Sequence, residues 1–114
     1  MREDRERLQD ILDAVAQVEK YASRGRAVFE TNELVQTWIV HHLLIIGEAV
    51  RGLTDALKHR YAGIPWPLVV GMRNIIVHEY FMYDLNEVWR VVEKDLPDLK
   101  QKVEAILKNL PEAG

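Results

Sequence analysis

The segment from Glu33 to Lys58 constrains the fold most, because apolar side chains cover most of its circumference when it is drawn as a helix. These residues recur at steps of three and four, which predicts an α-helix: Leu34, Val35, Trp38, Ile39, Leu43, Ile46, Ala49, Val50, Leu53 and Leu57. Only one polar stripe remains, formed by Thr37, His41, Glu48 and Asp55. A helix of this kind must be covered on several sides. Short neighbouring helices supply only part of that cover, so the pattern favours a second subunit.

An amphipathic helix is predicted before this segment, from Arg2 to Ala22, because its apolar positions also follow steps of three and four. The stretch Ser23–Arg26 is expected to end it, since Gly25 readily takes the left-handed conformation that closes a helix. A short connection follows. Thr31 or Asn32 is suited to cap the next helix.

The C-terminal half is predicted to hold two more helices, one over residues 67–81 and one that starts at Asp84 or Asn86. Pro97 is expected to kink or split the last helix, with Asp95 able to cap its second piece. No strand alternation, internal repeat or linker interrupts this pattern. The sequence therefore predicts a single all-α domain over residues 1–114, an antiparallel four- to five-helix bundle that dimerises through its helices.

Composition excludes several functional classes. The absence of cysteine among 114 residues removes disulfides, thiolate metal sites and thiol catalysis, and neither a metal nor a cofactor is expected. No apolar run is long enough to span a membrane and residues 1–7 do not resemble a secretory signal, so we expect a cytoplasmic protein without a membrane partner. The net charge of −3 argues against a general nucleic-acid coat and against DNA as a partner, and it leaves room only for a local basic site.

Arg73 is the anomaly of the predicted third helix. At about 100° per residue it falls in the middle of the apolar face, with Val69, Val70, Ile76, Val77 and Tyr80 around it. Burying an unpaired guanidinium costs several kcal/mol, so Arg73 must be paired or must line a cavity or an interface. Asn74 and His78 lie one turn apart on a neighbouring face, close enough for a hydrogen bond.

Each of these residues also has an ordinary structural explanation. Glu48 of the second helix is the favoured counter-ion for a buried Arg73, although it could instead belong to a polar cleft. A histidine one turn after an asparagine is more often structural than catalytic. A tyrosine near a helix end usually packs its ring and keeps its hydroxyl in water. What favours a functional site is the occurrence of Arg73, Asn74, His78 and Tyr80 within a single short segment.

The pattern Arg-x4-His-x-Tyr, here Arg73, His78 and Tyr80, resembles the signature of the HepT-like branch of the HEPN superfamily. The flanking sequence extends the resemblance over nearly the whole chain. Residues 45–49 (Ile-Ile-Gly-Glu-Ala), 64–66 (Ile-Pro-Trp), 85–89 (Leu-Asn-Glu-Val-Trp) and 95–97 (Asp-Leu-Pro) are similar to that family and occur in the same order.

This resemblance implies a helical homodimer that acts as the toxin of a two-gene toxin–antitoxin module of type II or VII. The arginine and histidine of both subunits would line a cleft at the dimer axis and cleave RNA without a metal. The partner would be a minimal nucleotidyltransferase antitoxin, which in some pairs silences the toxin by attaching AMP to the tyrosine, here Tyr80.

The side chains suit that chemistry. Cleavage of RNA without a metal needs a base for the 2′-hydroxyl, a proton donor for the leaving oxygen and positive charge for the transition state. His78 titrates near neutrality, and Arg73 can hold two phosphate oxygens. Asn74 would orient the imidazole or the phosphate, and Tyr80 would help to bind the substrate.

Two other functions remain open on the sequence alone. The chain could be a non-catalytic nucleotide- or protein-binding partner of the transferase, with Tyr80 as its acceptor. It could also be a purely structural helical dimer in which Arg73 and Glu48 form a buried pair.

Overall fold

A computed structural model describes residues 3–67, 69 and 84–110. The helices are α1 (Asp4–Ala22), α2 (Arg26–Thr31), α3 (Glu33–Arg51), α4 (Asp55–Arg60), α5 (Leu85–Arg90) and α6 (Leu96–Asn109), and a π-helical turn (Val91–Asp95) joins the last two. The described ranges contain no strand, which confirms the predicted all-α class. No helix in those ranges is long and apolar enough to cross a bilayer.

Contacts at both ends of α1 show that α3 runs antiparallel to it. Asp4, in the first turn of α1, accepts hydrogen bonds from Thr54, which lies just beyond the end of α3. At the other end of α1, the ring of Tyr21 packs against that of Trp38, in the first half of α3, with 5.2 Å between the centroids. The helices therefore pair along their whole length in opposite directions.

The last helix is antiparallel to α1 as well. The guanidinium of Arg5 donates to the carbonyl of Leu110 (2.9 Å), and at the opposite end Lys100 pairs with Glu19 (3.1 Å). Helix α1 is thus the central member of an antiparallel arrangement, with α3 on one side and α6 on the other. The predicted antiparallel bundle is confirmed, whereas dimerisation stays a prediction.

The core lies where these three helices meet. Each contributes a row of almost fully buried aliphatic side chains: Leu8, Ile11, Val15 and Val18 from α1, Ile39, Leu43, Ile46 and Val50 from α3, and Leu96, Leu99, Val103 and Ile106 from α6. Fully burying one such leucine, isoleucine or valine is worth about 1.5–3 kcal/mol. Phe29 extends the core by packing on Trp89, with ring centroids 5.3 Å apart, so α2 is joined to α5.

The predicted helix from Glu33 to Lys58 is two helices, and the prediction of one was wrong. Helix α3 ends at Arg51, and α4 begins after Thr54. The hydroxyl of Thr54 accepts a hydrogen bond from the backbone of Leu57 (3.2 Å), which is the geometry of an N-cap. The Asp4 carboxylate holds this cap, because it accepts from the backbone N–H of Thr54 (2.9 Å) and from its hydroxyl (2.6 Å).

Gly52 lies inside that break, where a second helix approaches closely. A Cβ atom at this position would overlap the guanidinium of Arg7, whose Nε would be only 2.8 Å away. The absence of a side chain at Gly52 therefore leaves room for the Arg7 guanidinium against the end of α3.

The start of α3 agrees with one of the two predicted caps. The side chain of Asn32 accepts from the backbone of Val35 (3.1 Å), whereas the hydroxyl of Thr31 donates to Ala27 (2.8 Å) within the preceding turn. That turn belongs to α2, a short helix where the sequence indicated only a connection. Gly25 precedes α2 with a φ of 98° and a ψ of 164°. Its φ is positive, but its ψ is extended and differs from the left-handed helical conformation that was predicted to close α1.

The C-terminal helical segment begins as predicted, and Pro97 does not split it, whereas the alternative of a kink at Pro97 stays a prediction. Asp84 caps α5 by accepting from the backbone N–H groups of Asn86 (2.9 Å) and Glu87 (3.3 Å). From there the chain stays helical to Asn109, with one π-helical turn immediately before Pro97. Asp95 is itself helical and its side chain forms no cap, so the predicted capping role was wrong.

Candidate functional site

Four of the five predicted site residues, Arg73, Asn74, His78 and Tyr80, lie outside the residues that the structure describes. The fifth, Glu48, is described. The structure also defines both borders of the segment that carries the motif.

The border before the motif is anchored in the core by Trp66. Its side chain is 5% exposed, and its ring N–H donates to the carbonyl of Tyr61 (3.2 Å). Trp66, Pro67 and Val69 are helical, and the backbone of Val69 donates to the carbonyl of Pro65 (3.2 Å). The predicted helix therefore begins at the proline-containing break, as the sequence indicates.

The border after the motif is the cap at Asp84, which fixes the start of α5. Helix α5 is itself held by Trp89, whose ring is buried against Phe29 and whose N–H donates to Glu93 (2.9 Å). Residues 70–83 thus connect two points that are both tied to the hydrophobic core.

Glu48 lies on an exposed face of α3, between two buried neighbours, Gly47 and Ala49. The same face carries Thr37 and His41, which are exposed as well, so the polar stripe predicted along this helix reaches the surface. In this single chain the carboxylate of Glu48 is therefore accessible from outside. Both predicted roles of Glu48, as the counter-ion of Arg73 and as part of a polar cleft, stay predictions.

Apolar side chains share that exposed face, which we call the open face of α3. Leu34 is 82% exposed, and Trp38, Leu44 and Ile45 are partly buried. The sequence predicted that the apolar circumference of this helix exceeds what neighbouring helices can cover. In the single chain, part of it does remain uncovered.

The adjacent histidines of α3, His41 and His42, do not point in one direction. Their rings are nearly perpendicular (87°) with centroids 5.1 Å apart, and Nδ1 of His42 lies 2.8 Å from the carbonyl oxygen of Trp38. Within the described ranges, no group of three histidine, aspartate or glutamate side chains lies close enough to hold a metal ion.

A basic and aromatic cluster, which sequence analysis did not single out, lies where α1 ends beside the start of α3. Lys20, Tyr21 and Arg24 come from α1 and the turn that follows it, and Trp38 comes from α3. The guanidinium carbon of Arg24 lies 4.7 Å from the Tyr21 ring centroid. The interleaving of basic and aromatic residues over positions 20–24 was the available signal, but Trp38 was assigned to the core.

One ion pair at the surface perturbs a carboxyl group. Arg90 donates to Glu87 (2.6 Å), and this hydrogen bond lowers the pKa of Glu87 from its usual value. Both side chains are substantially exposed, so the pair adds little to stability and marks no catalytic group.

Comparison with protein families then identifies the chain. The family model described as "Ribonuclease HepT-like" matches residues 11–106, a range that includes the motif at residues 73–80. The chain belongs to the HepT-like ribonuclease family. This confirms the resemblance drawn from the motif and, at the level of the family, the prediction of a ribonuclease.

Relatives of this HepT-like chain include several archaeal proteins. A Methanocaldococcus jannaschii protein, named as a gamma-glutamylcyclotransferase and candidate RNase, is 34% identical over 104 residues, which are 90% of this chain and 47% of that protein. A second candidate RNase of that archaeon is 35% identical over 68% of this chain and 72% of its own length. A "probable ribonuclease HepT" of Thermococcus cleftensis is 31% identical over 94% of this chain and 98% of its own.

The chain spans about half the length of the first of these relatives and nearly all of the third. No solved structure matches it.

Proposed function

We propose that this chain is the toxin of a two-gene toxin–antitoxin module and cleaves RNA without a metal, at a cleft formed by two copies of the chain. The observation that supports this most is the family match, which runs through the Arg73-x4-His78-x-Tyr80 motif. In the proposed site, Arg73 and His78 are catalytic, and Asn74, Tyr80 and Glu48 support them.

The chemistry follows from the two catalytic side chains. One His78 imidazole takes the proton of the ribose 2′-hydroxyl, whose oxygen attacks the adjacent phosphorus. The bond from phosphorus to the 5′-oxygen breaks, and a second imidazole, from the other subunit, gives that oxygen a proton. Arg73 is charged at any working pH and forms paired hydrogen bonds to the phosphate oxygens as their charge grows. A cleft at a two-fold axis supplies both imidazoles.

The open face of α3 supports a second subunit as part of this site. Ile45 and Leu44 are incompletely covered by their own chain and lie within one turn of Glu48. A dimer contact along this part of α3 would bury these aliphatic side chains and place Glu48 of each subunit beside the interface. The carboxylate then serves the cleft or pairs with Arg73.

The partner in this proposal is a minimal nucleotidyltransferase that attaches AMP to Tyr80. The transfer joins the phenolic oxygen to the α-phosphorus of ATP and releases pyrophosphate, while the phenolic proton passes to a base of the transferase. The attached phosphate carries negative charge, so it pairs with Arg73 and blocks access of RNA to the cleft. A nucleotide on Tyr80 therefore silences the enzyme.

The catalytic role of His78 is tested by replacing it. With His78→Ala, cleavage of a fluorescently labelled single-stranded RNA in EDTA is expected to fall by at least about 100-fold, the usual contribution of a general base or acid. The matched control is His59→Ala, because His59 is an exposed histidine on α4. Light scattering should show the same assembly for wild type and both variants. Equal rates for the two variants would refute the assignment.

The antitoxin is tested by expression with and without the neighbouring gene. The proposal expects that co-expression restores growth and that the intact mass rises by one nucleotide, with no such rise in Tyr80→Phe. A Tyr80-dependent mass gain in a chain that never cleaves RNA would overturn the enzyme assignment and identify a non-catalytic partner of the transferase.

A further inference from the structure

The basic and aromatic cluster at the end of α1 has the geometry of a stacking platform. The rings of Tyr21 and Trp38 meet edge to face, at 69° with 5.2 Å between centroids. The ring N–H of Trp38 donates to the carbonyl of Gln17 (2.7 Å), which ties the indole of α3 to the backbone of α1. Both side chains are partly exposed. The platform is therefore held in one orientation while part of its ring surface faces outward.

Cationic groups surround these rings. Nζ of Lys20 lies 5.7 Å from the ring centroid of Tyr21 and 5.9 Å from that of Trp38. The guanidinium carbon of Arg24 lies over the Tyr21 ring, 4.7 Å from its centroid. Cations at such distances from ring centroids are attracted by the aromatic faces, and this attraction keeps them at the platform. Both side chains are exposed, so their charges also face the solvent.

An open groove runs from this platform along the first turns of α3. Its lining includes Tyr21, Arg24, Leu34, Trp38 and His41, and none of the described residues that line it is an aspartate or a glutamate. The nearby carboxylate of Glu19 is paired with Lys100 on α6. A chain with a net charge of −3 thus has a groove that is locally basic and apolar.

We propose that this groove, lined by Tyr21, Arg24, Leu34, Trp38 and His41, binds single-stranded RNA. Bases would lie against Trp38, Tyr21 and Leu34, and phosphates would pair with Lys20 and Arg24. Aromatic faces between basic side chains are the combination that holds single strands with little sequence preference. The inference rests on the proposed function, because an RNA substrate is what makes such a groove useful. It assigns substrate binding to residues other than those of the Arg73 and His78 motif.

A second copy of the chain fits this groove less well. A symmetric dimer contact uses the same patch of each subunit, so Lys20 and Arg24 of both subunits would be brought into one interface. Like charges brought together in this way oppose association. A polyanion is instead attracted by the same charges.

Charge reversal tests the phosphate contacts. The double variant Lys20→Glu/Arg24→Glu is made in a His78→Ala chain, so that RNA stays intact, and binding of a fluorescein-labelled single-stranded RNA is followed by anisotropy. We expect at least a tenfold loss of affinity. The slope of log K against log salt should become shallower by about 1.4, the value for two phosphate contacts on a single strand. Lys94→Glu/Lys108→Glu is the matched control, since both lysines are exposed, Lys94 in the π-helical turn and Lys108 in α6.

Substitution of the indole tests stacking. Trp38→Leu should weaken RNA binding roughly tenfold, within the range found for loss of one stacked base, while Trp38→Phe should retain most of the affinity. Circular dichroism and the thermal midpoint establish that each variant is folded. Equal losses for both substitutions in folded protein would exclude stacking.

The outcomes separate this inference from the proposed function. For a cleavage assay the Lys20→Glu/Arg24→Glu variant is also made in a chain that keeps His78. If wild type cleaves RNA and this variant cleaves it with an unchanged KM, the groove is not a substrate site although the enzyme assignment stands. If RNA binds through the groove but no cleavage occurs, the catalytic proposal fails and the groove stands. If the Lys20/Arg24 variant binds RNA as the control does but changes its mass by light scattering, the groove is a contact between subunits and the inference is wrong.

Discussion

The break between α3 and α4 and the junction between α5 and α6 respond differently to residues that disfavour helices. At the first place the chain contains Gly52, and the helix stops one residue earlier. At the second it contains Pro97, a stronger helix breaker, and the chain stays helical on both sides of it. The helix therefore continues through Pro97, the stronger helix breaker, and stops before Gly52, the weaker one.

The surrounding contacts explain this difference. After Gly52, Thr54 caps the next helix and Asp4 of α1 holds the cap. The backbone N–H groups of Thr54 and Leu57, which have no partner within a helix, are thereby hydrogen-bonded. Before Pro97, the backbone N–H of Leu96 donates to Val91, five residues earlier. This wider turn lies where an α-helical turn would press the proline ring against the carbonyl of residue 93. A helix stops where a cap and a tertiary contact support the stop, and it continues where the turn can adapt.

The largest expected effect comes from the leucine beside each of these places. Leu53 lies in the break and is 4% exposed, and Leu96 precedes Pro97 and is 2% exposed. Leu53→Ala and Leu96→Ala are each expected to lower the free energy of unfolding by about 2–5 kcal/mol, because each leaves a cavity in the core. Chemical denaturation followed by circular dichroism measures both.

The two leucine variants also test whether the break is as firmly packed as the continuous helix. Leu34→Ala is the control, since Leu34 is 82% exposed and should change stability by less than about 0.5 kcal/mol. A cost for Leu53→Ala close to that of the control would mean that the break is held by its hydrogen bonds and not by the core.

A smaller effect is expected at the cap. Thr54→Val keeps the shape of the side chain but removes the hydroxyl that accepts from Leu57 and donates to Asp4. The free energy of unfolding should fall by about 1–2 kcal/mol, the usual cost of a lost N-cap. Thr31→Val is the matched control, because the hydroxyl of Thr31 donates to Ala27 of its own helix. If both variants lose the same amount, the cap does not hold the break.

The regular part of the fold could be predicted from the sequence because it depends on local spacing. The start of α3 at Asn32 and that of α5 at Asp84 followed from residues that accept backbone hydrogen bonds. The end of α3 could not be predicted in this way. It depends on Asp4, which is fifty residues away in the chain, and on the approach of Arg7 to Gly52.

The site shows the same division. Family membership followed from the motif and its flanks, because the order of Arg73, His78 and Tyr80 is a local property of the sequence. The groove between α1 and α3 could not be found by inspection of either helix, since Tyr21 and Trp38 come together only through antiparallel pairing. Trp38 was assigned to the core because it occupies an apolar position of the helical pattern, although part of its ring is exposed.

The smallest effect is expected at Pro97 itself. Pro97→Ala restores a backbone N–H and removes the ring, which favours helix, but it also gives the unfolded chain more conformational freedom, which favours unfolding by about 0.4–1 kcal/mol. Because the π-helical turn already relieves the clash with residue 93, the helix gains little, and the free energy of unfolding should change by less than about 1 kcal/mol. Denaturant titration measures the free energy of unfolding of Pro97→Ala and of a comparison variant, Pro65→Ala. Pro65 lies outside any helix, although its carbonyl accepts from the backbone of Val69. If Pro97→Ala raises the free energy of unfolding by more than about 2 kcal/mol, the proline ring strains the helix. Strain at Pro97, and not only capping at Thr54, would then distinguish the two places.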